Sequence, residues 1–171
     1  MEPPAFCDCT VLDEAVIVHC LPVTGVTTFQ QYADEVFIPY LKKQFQSSRQ
    51  LDIVWDTYIA DSLKESTREK RGKGVRMKVS GETKLPCSWM DFLRDSANKK
   101  ELFALLTSKV EEFTWPSDKD VYVTSGQAVS SYGCSSPMNS CSHGEADTRV
   151  SVHVVHALQL RLMNVQMRTI D

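Results

Sequence analysis

Short apolar runs alternate with amphipathic stripes along this chain, and this alternation limits its fold more than any other feature. The apolar runs predict strands at residues 11–12, 51–56, 120–125 and 164–170. Between them, apolar residues recur at helical spacing within residues 29–45, 102–113 and 150–162. Strands that alternate with helices in this way predict an α/β domain of three layers with a mainly parallel sheet.

The first two predicted helices have recognisable signals near their starts. Thr28 and Gln31 have the spacing of a capping box, and Asn98 and Glu101 repeat that spacing ahead of the second stripe. Pro39 lies inside the first stripe. We expect it to kink or split that helix, because proline has no amide hydrogen to donate.

Other segments fit more than one structure. Residues 15–18 continue an apolar run after Asp13, which suits either the start of a helix or a continued strand. Ser142 and Glu145 form a third capping box ahead of the last stripe, yet the β-branched residues within 150–155 also suit a strand. The stretch 125–142, rich in Ser, Gly and Cys, is predicted to be a loop.

Composition places the chain among ordinary folded domains. Its 171 residues suffice for one domain with a core, and 42% hydrophobic with 24% charged residues excludes a disordered chain. A net charge of −3 excludes a wholesale nucleic-acid coat, so any nucleic-acid contact needs a local basic patch. There is no run of about 18 apolar residues, and the first four residues lack signal-peptide features. We therefore expect an intracellular protein of the nucleus or cytoplasm, neither secreted nor membrane-bound.

The six cysteines are an even number, which invites a disulfide interpretation. Without a secretory signal, reduced thiols are the better expectation. The clusters at residues 7–9 and 134–143 also lack the paired spacing of a zinc knuckle, so the sequence argues against zinc.

Acidic residues follow three of the predicted strands at their carboxyl ends. Asp13 follows the first strand, Asp56 the second and Asp171 the last, while Glu145 and Asp147 stand at the predicted start of the third helix. In open α/β sheets such ends meet at one edge, and carboxylates crowded there require cations. Mg²⁺ and Mn²⁺ prefer carboxylate and water ligands, and two such ions about 4 Å apart stabilise both oxygens of a phosphodiester displacement.

Each of these acids also has an ordinary interpretation. Asp13 and Asp56 are at positions where solvated loop residues are common. Glu145 completes a capping box, and Asp147 favours a helix N-terminus electrostatically. Spacing alone leaves both interpretations open.

Several segments resemble the flap endonuclease and XPG-type nucleases. Residues 54–58, Val-Trp-Asp-Thr-Tyr, and the basic residues after them look like that family's strand, metal-binding acid and basic helix. Residues 145–147, Glu-Ala-Asp, are similar to its Glu-Ala-Glu motif at a helix start. Residues 165–171 resemble the following strand with its Asp-x-Asp pair, and residues 11–13 occupy the place of the first strand and its acid.

More closely, the chain resembles an uncharacterised animal protein family related to the PIN-like and flap endonuclease fold. The matching segments are 28–34, 66–72 and 143–149, and Glu-Ala-Asp-Thr-Arg within the last is the most specific. The resemblance implies one PIN-like domain over residues 1–171 that is truncated, hence incomplete at its C-terminus. The second acid of the Asp-x-Asp pair would lie two positions beyond Asp171.

The resemblance further implies a metal-dependent nuclease that hydrolyses phosphodiester bonds of DNA or RNA. Its Mg²⁺ or Mn²⁺ ions would activate a water molecule, so no protein nucleophile is required. The residues implied as metal ligands and catalytic groups are Asp13, Asp56, Glu145, Asp147 and Asp171. The residues implied as phosphate contacts, within the basic segment 64–78, are Lys64, Arg68 and Arg71. A solvated charged helix is the alternative for these three.

Other interpretations stay open. The chain is alternatively a non-catalytic remnant that binds nucleic acid or protein, or a truncated product without a function of its own. His153 and His156, three residues apart, are candidate metal ligands, with core or surface positions as the more common outcome. The three tryptophans suit either base stacking or core packing, for which their apolar neighbours argue, and these are Trp55, Trp89 and Trp115.

Overall fold

Strands and helices alternate through the computed structural model, which describes residues 6–56, 74–133, 136–138 and 146–169. The strands are β1 (Cys7–Asp13), β2 (Ser48–Val54), β3 (Asp120–Ser125), β4 (Ala128–Tyr132) and β5 (Val165–Arg168). The helices are α1 (Glu14–Cys20), α2 (Phe29–Gln31), α3 (Ile38–Gln46), α4 (Trp89–Leu93), α5 (Ser96–Glu112) and α6 (Ala146–Gln159). The protein is therefore α/β, as the alternation predicts.

The five strands form one sheet in the order β4–β3–β2–β1–β5. β1 pairs in parallel with both β2 and β5, so that Cys9 lies opposite Gln50 on one side and Val165 on the other. β3 pairs in parallel with β2, and β4 joins β3 in an antiparallel hairpin. The predicted mainly parallel sheet is confirmed.

The two faces of the sheet bury different cores. Leu12, Leu51 and Ile53 join a large core shared with α1 to α5, which is rich in aromatic side chains. The opposite face packs against α6 in a much smaller core, whose buried members are Cys9, Val11, Val54, Val150 and Ala157. Burial on both faces explains why every residue of β2 from Gln50 to Val54 is buried, rather than every second one.

Pro39 changes the form of the first long helix without ending it. Between α2 and α3 the chain forms a π-helical segment, Tyr32–Phe37, and Pro39 occupies the first turn of α3. The amide of Ile38 bonds to the carbonyl of Ala33, five residues back. Since proline cannot donate the hydrogen bond of a regular helix, the wider turn ahead of it absorbs the mismatch. The expected kink or split at Pro39 therefore takes the form of a π-helical segment ahead of the proline, and the helix continues through it.

Of the two capping boxes predicted within the described residues, one forms in part, because Oε1 of Gln31 accepts from the amide of Thr27 rather than from that of Thr28. The hydroxyl of Thr28 accepts a hydrogen bond from the amide of Gln31 at 3.2 Å. The second helix begins earlier than expected, because its N-cap is Asp95, whose carboxylate accepts from the amide of Asn98 at 2.9 Å. Asn98 is instead buried, and its side chain bonds to the backbone of the irregular segment 74–80.

Pairing with β3 decides the structure of part of the predicted loop 125–142. Residues there form β4, which is exposed or half-buried along its length. Its Ser-rich sequence lacks the apolar alternation that is typical of a strand. The segment is a strand because its backbone forms hydrogen bonds with β3. The two open cases resolve as helices, since residues 15–18 lie in α1 and residues 150–155 lie in α6.

Two further features concern membranes and thiols. Within the part of the chain that the structure describes, no helix has the length and apolar character needed to cross a bilayer. Among the described residues, Cys7, Cys9, Cys20 and Cys87 are free thiols. Cys134 and Cys141 lie outside the described residues.

We predict that Phe29→Ala lowers the free energy of unfolding by about 3–5 kcal/mol, because a fully buried ring is lost from the large core. The Phe29 ring packs against Trp89 and Phe92, with centroid distances of 6.3 and 5.4 Å. Urea unfolding followed by circular dichroism measures the change. Met90→Ala is the control, because Met90 lies on α4 but is 57% exposed, and its change should stay within about 0.5 kcal/mol. Equal effects of the two substitutions would contradict this account of the core.

Candidate functional site

The carboxyl ends of β1 and β2 lie side by side at one edge of the sheet, hereafter the carboxyl edge. Asp13 is the last residue of β1 and lies opposite Val54, and Asp56 follows Val54 by two residues. Neighbouring strands are about 4.8 Å apart, so both acids leave the sheet at adjacent points. Asp13 is buried and Asp56 is half-buried. Two acidic residues therefore lie at this edge, one at the end of β1 and the other two residues after the end of β2.

Arg149 ties the start of α6 to the same edge. Its side chain is almost fully buried, and Nη1 donates to the carbonyl oxygen of Trp55 at 3.2 Å. Nη2 donates to the carbonyl oxygen of Gly126, in the turn that follows β3. A buried guanidinium requires such acceptors, so these bonds hold the first turns of α6 beside the ends of β2 and β3.

The remaining predicted site residues are less completely described. Asp147 lies in the first turn of α6, and its side chain falls outside the described part of the structure. Glu145 and Asp171 lie outside the described residues, as do Lys64, Arg68 and Arg71. Among the side chains that are described, no group of three His, Cys, Asp or Glu residues is placed to hold a metal ion.

The donor atoms at the carboxyl edge suit a hard divalent cation. Mg²⁺ is commonly held by one or two carboxylates, with waters and substrate phosphates completing its shell. Asp13 and Asp56 supply two carboxylates from neighbouring strands, and their oxygen chemistry fits Mg²⁺ or Mn²⁺. Arg149 adds one positive charge beside the helix start, which offsets part of the local negative charge.

The described end of the basic segment is bound to α5. Arg76 forms an ion pair with Glu101, and the amide of Val79 donates to the same carboxylate at 2.8 Å. This backbone hydrogen bond, followed by the contact with Arg76, lowers the pKa of Glu101. Arg76 is therefore engaged within the fold, whereas Lys78 is exposed.

A buried polar cluster that the sequence interpretation missed lies between β2 and α6. Asp52 is fully buried, and its Oδ2 lies 2.7 Å from Nδ1 of His153, which is also fully buried. The other oxygen of Asp52 accepts from Nε2 of Gln50 at 2.8 Å and from the thiol of Cys9 at 3.8 Å. The available signal was Asp52 itself, because an acid inside a buried apolar run must find partners within the fold.

The chemistry of this cluster is set by its burial. Desolvation, reinforced by Asp52, strongly raises the pKa of the Cys9 thiol, which therefore stays protonated. Burial lowers the pKa of His156, and Asp52 offsets part of that effect. The ring of His156 packs edge-on to Tyr122 at a centroid distance of 5.1 Å.

The histidines and tryptophans occupy structural positions. His153 belongs to the buried cluster, so it occupies a core position rather than that of a metal ligand. Trp55 stacks on Phe103 at a centroid distance of 4.5 Å, and its Nε1 donates to the hydroxyl of Thr107. Trp89 and Trp115 pack against the large core. Core packing therefore accounts for all three tryptophans.

Comparison of the chain with protein-family models, with curated proteins and with solved structures finds no match.

We predict that Arg149→Ala lowers the free energy of unfolding by about 2–4 kcal/mol, because the buried carbonyl oxygen of Trp55 and the partly buried one of Gly126 both lose their donor. Arg149→Lys should recover only part of the loss, since an ammonium group cannot reproduce the guanidinium fork. Urea denaturation measures both changes. Gln159→Ala, at an exposed position of the same helix, is the control and should leave stability near that of the wild type. A neutral Arg149→Ala substitution would refute the anchoring role of this residue.

Proposed function

We propose that this chain is a PIN-like, divalent-metal-dependent nuclease domain that acts on phosphodiester bonds of DNA or RNA. The observation that supports the proposal is the convergence of Asp13, Asp56 and the start of α6 at one edge of the sheet. The carboxyl edge is where open α/β sheets bind their ligands.

In this proposal Asp13 and Asp56 are the core of a site for Mg²⁺ or Mn²⁺. Glu145, Asp147 and Asp171 are the further ligands that the resemblance implies. A bound cation would lower the pKa of a bound water and polarise a phosphoryl oxygen. The chain's own contribution is to orient the carboxylates, through the pairing of β1 with β2 and through the Arg149 anchor.

A second candidate function is supported by the position of Arg149. Its guanidinium already places one positive charge at the edge where the carboxylates converge. Because Arg149 already balances part of the negative charge of the carboxylates, this edge does not require a metal ion. This arrangement suits a non-catalytic remnant that binds nucleic acid or a protein partner without a metal. Metal binding and cleavage distinguish the two candidates.

We predict that Mn²⁺ binds the wild-type protein, as measured by isothermal titration calorimetry in metal-free buffer. Asp13→Asn and Asp56→Asn should each weaken the affinity roughly tenfold or more, because each replaces a negatively charged carboxylate ligand by a neutral amide of similar shape. Asp118→Asn is the matched control, because Asp118 is exposed in the turn that precedes β3, at the opposite edge. It should bind Mn²⁺ as the wild type does.

Cleavage of end-labelled single-stranded DNA and RNA in Mg²⁺ or Mn²⁺ tests the activity itself. Metal-dependent cleavage that is lost in Asp56→Asn and kept in Asp118→Asn supports the nuclease. Identical metal binding by the wild type and both edge variants, or an absence of any metal binding, would overturn the metal-site proposal. Binding of nucleic acid without metal or cleavage would favour the second candidate.

We predict that the affinity for double-stranded DNA decreases as the salt concentration rises. A plot of the logarithm of the affinity against the logarithm of the salt concentration should have a slope of about −3 to −4.5. This slope corresponds to about three to five phosphate contacts from the basic segment 64–78. Replacing Lys64, Arg68 and Arg71 by Ala together should make the slope shallower by about 2.7 units. Fluorescence anisotropy at several salt concentrations measures it.

The control for this substitution is a triple alanine variant at three exposed lysines outside the segment, namely Lys43, Lys84 and Lys100. Its slope should match that of the wild type. A slope near zero in the wild type, or equal slopes for the two triple variants, would exclude the proposed phosphate contacts.

A further inference from the structure

The helix that begins at the carboxyl edge has a small apolar interface. The small core beneath α6 consists of Cys9, Val11 and Val54 on the strands, with Val150 and Ala157 on the helix. Apolar contacts of this kind are non-directional, so they favour contact with the sheet without selecting one rotation of the helix. The position of α6 therefore depends on its buried polar contacts.

Two buried polar side chains of α6 point to the sheet one helical turn apart. Arg149 reaches the carbonyl oxygens of Trp55 and Gly126 at the carboxyl edge. Four residues further on, His153 reaches Asp52 in the middle of β2 at 2.7 Å. Residues four apart share one face of a helix, so these contacts define a line along α6.

The carboxylate of Asp52 is itself held in place. Its Oδ1 accepts from Nε2 of Gln50, two residues earlier on the same strand, while Oδ2 faces His153. A carboxylate oxygen accepts, so Nδ1 of His153 is the donor. Among the described residues, Nε2 of His153 is buried without a hydrogen-bond partner, and the bond to Asp52 is the one that orients the ring.

We propose that the Asp52–His153 pair is a positioning device that sets the rotation and the axial position of α6 on the sheet. This inference rests on the proposed metal site, since the first turn of α6 contains Asp147. A shift of one residue along a helix is a movement of about 1.5 Å and a rotation of about 100°. Such a shift would leave Asp52 buried without its partner, so the pair selects against it.

A structural role alone does not require this pair. Buried ion pairs are often replaced by apolar residues of similar volume without loss of stability, and their best-attested use is to specify one register. The two roles can therefore be told apart by experiment. If the pair positions α6, an apolar replacement should keep the fold stable but should no longer hold the start of α6 in one place.

The test is a triple variant that removes the polar pair together with the side chain that braces it. Gln50→Leu, Asp52→Val and His153→Leu leave no amide, carboxylate or imidazole of this cluster buried without a partner. We expect its urea midpoint to stay near the wild-type value while Mn²⁺ affinity falls about 10- to 100-fold. Amide hydrogen exchange in the first two turns of α6 should become faster.

Two single variants at residue 153 provide a rescue comparison and a second route if the triple variant does not fold. His153→Asn keeps a donor near the position of Nδ1 and should retain most of the Mn²⁺ affinity, whereas His153→Leu should lose it. Ser48→Ala is the matched control, because it removes a buried hydrogen bond, from the Ser48 hydroxyl to the carbonyl oxygen of Gln44 at 2.9 Å, at the opposite end of β2. It should lower the urea midpoint and leave Mn²⁺ affinity unchanged.

The outcomes separate the two proposals. If the wild type binds Mn²⁺ and the folded triple variant binds it equally well, the positioning role is overturned and the metal site stands. If His153→Asn and His153→Leu are equally impaired, the hydrogen bond to Asp52 is not the cause, and the positioning role is again overturned. If the wild type binds no Mn²⁺, the proposed function falls. Unchanged amide exchange at the start of α6 overturns the positioning role in either case.

Discussion

Parallel pairing of β1 with β2 is the constraint on which the rest of this structure depends. Parallel strands cannot be joined by a tight turn, so the chain between them must cross over the sheet. Here α1, α2 and α3 form that crossover and cover one face with an aromatic core. The other face also needs cover, and α6 supplies it after β3 and β4 are complete.

The same pairing concentrates polar groups at one edge and beneath one helix. Because β1 and β2 end together, Asp13 and Asp56 emerge next to each other, and Arg149 brings the start of α6 to that place. Beneath α6 the sheet presents the buried polar side chains of Gln50 and Asp52 to the helix instead of a continuous apolar surface. That face therefore packs by directional bonds as well as by apolar contact, which suits a helix whose exact placement matters.

Local signals predicted much of the architecture. The helical stripe after Thr28 and the apolar run before Asp56 formed as expected, because residue spacing and capping chemistry act over a few residues. β4 was not predicted, because its hydrogen bonds come from β3 rather than from its own side chains. The N-cap at Asp95 was missed because Asn98 has the same capping chemistry, and the distant segment 74–80 binds the side chain of Asn98 instead.

The sequence by itself determined an α/β chain with acids at the ends of its strands, since both properties follow from periodicity and local order. Only the tertiary structure decided which acids are buried in the fold and which lie at the carboxyl edge. Asp52 and Asp56 lie four residues apart, yet one is buried against His153 and the other reaches the carboxyl edge. That division depends on the strand's position between two layers, because only packing by α6 brings His153 within 2.7 Å of Asp52.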